Sequence, residues 1–215
     1  MSVPSLDPTA MRVLGALLEK QMSTPEYYPL TLNALVNACN QSSNRDPVMH
    51  LEEDAVLDGL ETLRVEQLAW EVRAAGSRST KYEHRLRERF DLTEQEAAVL
   101  CELMLRGPQT PGELRSRTQR LYAFQDLPEV EAALDCLSSG PDRLVVKLPR
   151  QPGSREARFA QLIGGSDDPR ATQPLGEVPA IEGTTQPSLR EEVAALRAEL
   201  AAMRADFESF RKQLE

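Results

Sequence analysis

The chain is expected to be mainly α-helical with small β-hairpins, and three observations predict this. Apolar residues recur at helical spacing, short alternating stretches follow the helices, and the whole order runs through the chain twice. Asp7-Pro8 opens the first helix, with Asp7 as N-cap and Pro8 at the first helical position, where a missing N–H does no harm. Met11, Leu14, Leu17 and Leu18 form its inner face, and the prolines of STPEYYP end it. In TLNALVNACN, Leu32, Leu35, Val36 and Cys39 fall at i, i+3, i+4 and i+7, along one side of a second helix. In EEDAVLDGLETL, Val56, Leu60 and Leu63 make the buried stripe of a third, and Glu52, Glu53, Asp54, Asp58 and Glu61 lie off it. Leu68, Trp70 and Val72 then alternate as a strand whose buried face includes Trp70, AAGSRS turns the chain, and TKYEH returns it. Three helices followed by a hairpin is the order of a winged-helix domain, with the second and third helices as its helix-turn-helix.

The order repeats. VLGALL at residues 13–18 recurs as VLCELM at 99–104, and VLDGLETL at 56–63 recurs as VEAALDCL at 130–137. TPGELRSRT takes the place of TLNALVNAC, and LVVKL with ARFAQ around PRQPGSRE takes the place of the first wing. The second copy carries its own start and stop: Thr93 with Glu96 as a capping box, then Gly107-Pro108. The expected organisation is a winged-helix domain over 1–90 and another over 91–163. A flexible linker rich in Gly, Pro and small polar residues follows over 164–187, then a heptad helix over 188–215.

In that last helix Leu189, Val193, Leu196, Leu200, Met203, Phe207, Phe210 and Leu214 are spaced alternately by four and three residues, the seam of a coiled coil. With Val193 at position a, Glu192, Glu199 and Asp206 at g face Arg197, Arg204 and Arg211 at e of a parallel partner, so charge selects a parallel homodimer. The alanines along the same helix leave packing on the chain's own body, or on another protein, as the alternative.

The chain has 215 residues, 27% of them charged, and a net charge of −9 that divides as −3, −2 and −4 over residues 1–90, 91–163 and 164–215. No segment is basic overall, so a nucleic-acid reading depends on local clusters. No apolar run is long enough to cross a bilayer and MSVPSLDPTA lacks a signal-peptide pattern, so the expected location is cytoplasmic. Cys39, Cys101 and Cys136 each fall in an apolar stripe without C-x-x-C spacing, and are expected to be reduced core residues. Phosphate-binding glycine loops, a nucleophile elbow and an H-E-x-x-H motif are absent, and His50 and His84 sit in different elements. No enzyme, metal or cofactor is expected.

Two features remain as candidate contacts. The first is NQSSNRDP at residues 40–47, long for such a connection; its side chains suit local capping, while Asn44 and Arg45 offer partner contact, Arg45 as the reaching donor. The second is the basic residues away from the acidic helices: Arg73, Arg78 and Lys81 at the first wing, Arg115 and Arg117 in the second domain's middle helix, and Arg150 and Arg155 on the second wing.

YPLTLNALVNACNQSSNRDPVM, LRGPQTPGELRSRT and LVVKLPRQPGSREARF resemble the YceH-like family of bacterial proteins, over about residues 6–163. The resemblance implies tandem winged-helix domains in one chain. It brings no catalytic residue or cofactor to carry across, and the family's description as DNA-binding rests on fold analogy. Two functions follow as expectations: a DNA-associated regulator touching phosphate through its wings, or a protein-interaction module of a chromosome-organising or transcription assembly.

Overall fold

The structure, a computed structural model, describes residues 3–73, 79–140, 142–150 and 156–164. These residues are mainly helical, with seven α-helices and two small antiparallel sheets, and all fall in one compact unit. The first helix, α1 (Pro8–Ser23), is capped as its sequence requires, Asp7 Oδ1 accepting from Thr9 N at 2.8 Å and Ala10 N at 3.0 Å. A two-residue strand β1 (Leu30–Thr31) leads into α2 (Leu32–Cys39), with Thr31 as N-cap. After residues 40–52 come α3 (Glu53–Val65), β2 (Ala69–Val72) and β3 (Lys81–His84). The strands form one antiparallel sheet in the order β1-β3-β2, with Leu30 opposite Tyr82 and Trp70 opposite Glu83.

A short helix α4 (Leu86–Phe90), which sequence periodicity misses, joins this half to the next. There α5 (Glu94–Arg106) starts with the Thr93–Glu96 capping box and ends where the Gly107 N–H donates to Leu103 O. Thr110 caps α6 (Pro111–Arg117) with a second capping box, and Asp126 caps α7 (Leu127–Ser139). The strand pair β4 (Val145–Lys147) and β5 (Phe159–Gln161) is antiparallel, and Gln109 bridges to Phe159 just before α6, as Leu30 pairs with β3 just before α2. The second half therefore repeats the element order of the first, including a short strand contact that the sequence pattern does not disclose.

Both halves share one core. From Ala10 to Glu19 every residue of α1 is buried, and from Ala97 to Leu105 every residue of α5 is, because the two helices pack on each other as well as on their own halves. At the contact, a Cβ on Gly15 would stand 2.8 Å from Leu105 Cδ2, so any larger residue there would have to displace the Leu105 side chain. The Cys101 Sγ donates to Gly15 O at 3.6 Å across the same crossing.

Two core expectations are corrected. Trp70 is 44% exposed. Gln67, at φ 58°, turns the chain sharply and the Leu68 N–H donates to Leu63 O, so Leu68 is buried in the turn rather than in the strand's alternation. Ala69 then faces the core with Tyr82 and His84, which puts Trp70 and Val72 on the opposite face. Cys136 is exposed as well, because α7 buries Val130, Ala133, Leu134 and Leu137 and position 136 lies off that stripe. Cys39 and Cys101 are buried as expected; burial pushes the Cys39 thiol up to about 12, and Cys101 well above its ordinary value. Both are protonated at neutral pH and poor nucleophiles.

Candidate interaction site

Residues 40–47 are anchored to the body of the chain at Asn40 and Arg45, while Ser42, Ser43, Asp46 and Pro47 stay exposed. Asn40 ties the two ends of the connection, its Nδ2 donating to Leu51 O at 2.8 Å and its Oδ1 accepting from Leu51 N at 2.7 Å. Arg45, expected to reach a partner, is only 6% exposed and turns into the junction of the two halves. Its Nη1 and Nη2 donate to the two carboxylate oxygens of Glu19 at 2.9 and 2.6 Å, and Nε and Nη2 to Ala38 O at 3.2 and 2.7 Å. Asn44, the other expected contact, holds φ 58° and accepts from Arg106 through its side chain. The physical reason is compensation: Glu19 lies on a helix with no solvent-facing side, and a buried carboxylate needs a cation.

The cluster continues into the second half. Arg120 donates to Glu19 and, at 3.2 Å, to Glu102, while Arg106 Nε stands 3.0 Å from the other Glu102 oxygen, near enough for an ion pair but not aligned as a hydrogen bond. Burial alone pushes the Glu19 carboxyl up, but the Arg45 hydrogen bonds and the charges of Arg45 and Arg120 outweigh it and hold Glu19 below the usual range. For Glu102 burial prevails over Arg120 and Arg106, and the net direction is up. Three guanidinium groups thus bind two carboxylates from α1 and α5 into a polar clamp. Sequence reasoning missed it, although Glu19 and Glu102 inside otherwise apolar runs were a signal.

His84 is a second buried polar group. Its Nδ1 accepts from Leu86 N at 3.2 Å, which leaves Nε2 as the donor to Gln21 Oε1 at 2.8 Å. Burial, helped by the charges of Arg87 and Arg85, lowers its pKa to about 4, so it is neutral at physiological pH. Among the described residues no group of three or more His, Cys, Asp or Glu side chains is placed to hold a metal ion.

The outward face is built by α3. Burying Val56, Gly59, Leu60 and Leu63 turns Asp54, Asp58 and Glu61 to solvent, together with Leu57 and Val65, which are 39% and 68% exposed. Arg64, the one basic residue of this helix, is tied to Glu61 at 2.6 Å. On α7, Glu131 and Asp135 are exposed, whereas Glu129 accepts from Tyr122 Oη at 2.9 Å and Gln125 N at 2.8 Å.

Many of the basic residues are engaged within the chain. Arg85 pairs with Glu83 at 2.6 Å, and Arg89 donates to Glu66 O at 2.6 Å. Arg115 donates to Gln125 O at 2.7 Å, Arg117 to Gln109 Oε1 at 2.8 Å, and Arg158 to Pro108 O and Glu113, each at 2.8 Å. Of the expected wing contacts, Arg73 is solvent-exposed with Glu71 no nearer than 3.8 Å, Lys81 is half-buried opposite Val72, and Arg150 is exposed. Arg78, Arg155 and the seam from Leu189 to Leu214 lie outside the described residues.

The family described as "Protein of unknown function, DUF480" matches residues 6–154. The chain belongs to the DUF480 family. Its similarity to relatives runs through nearly the whole chain: a UPF0502 protein of Geobacter sulfurreducens is 49% identical over 217 residues, covering 98% of each. One from Opitutus terrae is 52% identical over 195 residues, 90% of this chain and 84% of the relative. One from Citrifermentans bemidjiense is 56% identical over 164 residues, 76% of each. The bacterial family read from the motif residues is thereby shown, and the YceH-like label is compatible with DUF480 membership.

Proposed function

We propose that this DUF480 chain is a non-enzymatic protein-interaction module made of two winged-helix units, over 1–90 and 91–163, whose helix α3 faces the partner. The carrying observation is the outward face of α3, where exposed Leu57 and Val65 stand among Asp54, Asp58 and Glu61. In the usual docking of this fold the corresponding helix enters the DNA major groove. Each carboxylate brought within 4 Å of a phosphate would there be repelled by about 1 kcal/mol in water, and by about 4 kcal/mol at the effective dielectric of a protein surface. A protein partner meets no such barrier, and the two apolar side chains supply area for it to cover.

Exposed Arg73 and Arg150 support a second reading, contact with DNA backbone through the wings. Two measurements separate them. Affinity capture from nuclease-treated lysate, comparing the full chain with a Leu57→Ser/Val65→Ser variant, is expected to show proteins retained by the first and lost by the second. Titration of random-sequence duplex DNA across a salt series is expected to show weak binding. Capture unchanged by the substitutions, together with tight DNA binding whose salt slope falls in Arg73→Ala/Arg78→Ala/Lys81→Ala, would replace this reading by the second.

A further inference from the structure

A cavity of about 580 Å³ opens where the residues before α1, its first turn, residues 46–49, the last turns of α5 and the end of β5 meet. Small-molecule sites span roughly 300–1,000 Å³ and favour junctions of this kind. The walls are apolar at Leu6, Met11, Met49, Leu103 and Met104. Three thioethers in one wall give a pliable, polarisable surface suited to a flat or irregular apolar body. The frame around them is hydrogen-bonded: Leu6 N donates to Ile163 O at 2.8 Å and Asp46 N to Leu105 O at 2.9 Å.

The polar groups of the lining narrow the class of ligand. Gln161 is 4% exposed, and its Oε1 accepts from Gly164 N at 2.9 Å. Among the described residues its Nε2 makes no hydrogen bond and it is not sealed from solvent, so its N–H groups can meet a molecule in the cavity that Gln161 lines. Arg12 is the one cation among the described residues of the lining, and its Nη1 and Nη2 donate to the carbonyls of Cys39 and Pro47, at 3.1 and 2.6 Å. Asp7 and Asp46, both exposed, outnumber that single positive charge in the lining. An anion is therefore disfavoured, and a group that only accepts is favoured.

We infer that this cavity binds an uncharged apolar small molecule carrying a carbonyl-type acceptor, held by the Gln161 amide between Met11, Met49 and Met104. The test uses the full chain with methyl-labelled methionine and three probes of similar shape: 4-phenylbutan-2-one, 4-phenylbutan-2-ol and 3-phenylpropanoate. The ketone is expected to shift the methyl resonances of Met11, Met49 and Met104 and not that of Met22, with a Kd of about 1 mM, ordinary for a molecule of this size. The carboxylate is expected to bind at least about tenfold more weakly. Gln161→Glu keeps the acceptor for Gly164 N but loses the amide donors. It should weaken the ketone about fivefold and spare the alcohol, which can itself donate. Absent methyl shifts, shifts confined to Met22, a carboxylate that binds as well as the ketone, or ketone affinity unchanged in Gln161→Glu would each overturn the proposal. Because the methyl shifts are read on the natural sequence, the test stands even if the variant does not fold.

Discussion

At the scale of single residues the chain carries a built-in acid response. Unfolded, the His84 imidazole takes up a proton near its ordinary 6.5; folded, it resists until about 4. Between those values the unfolded chain binds the extra proton, so stability present above pH 6.5 is lost as the pH falls toward 4, by up to about 3 kcal/mol at the acid end. Denaturant melts of the natural chain and of His84→Gln, taken between pH 7 and 4, should show a steeper decline for the natural chain, and parallel curves would remove His84 as the source. Trp70 offers a second check. Because it stands on the outer face of the sheet, acrylamide should quench its emission readily, and Trp70→Ser should change stability by less than about 1 kcal/mol. Inefficient quenching, or a large loss of stability, would return it to the core. The strand at residues 69–72 was legible in the sequence, but the face it buries was not. That face depends on the left-handed turn at Gln67, which shifts the register by one residue and leaves no periodic trace.

Among the elements, the starts of α1 and α5 were legible because their determinants are local: Asp7 and Thr93 each accept from backbone within three residues. The clamp was not, since Arg45 meets Glu19 across 26 positions of sequence and Arg120 meets it across 101. Composition can show that a carboxylate sits in an apolar helix, but only the fold shows which cation answers it. Glu19→Gln should cost about 3–5 kcal/mol, because it leaves the Arg45 guanidinium buried beside a neutral group. Glu19→Met combined with Arg45→Met should recover a good part of that loss, since paired apolar replacements avoid burying an unmatched charge. Chemical denaturation of the three chains decides the matter. If Glu19→Gln is nearly neutral, the cluster is solvated in solution and does not fasten α1 to α5.

For the whole molecule, the heptad reading makes a separate prediction. Sedimentation of the full chain should give a dimer, and truncation after Pro187 a monomer; a full chain monomeric at tens of micromolar, or a truncated one still dimeric, refutes it. The contact between α1 and α5 carries a consequence of another kind. Aligning VLGALL with VLCELM makes Gly15 and Cys101 counterparts, and these two residues touch one another. A position that meets its own counterpart is what an approximate two-fold relation between two repeats produces, the relation found between the subunits of an isologous dimer. A lone repeat would have to find a second copy by diffusion to cover this face. Joined through α4 the pair meets at the high effective concentration of a short tether, and the two sides of the contact need not be alike: one is a glycine and the other a thiol.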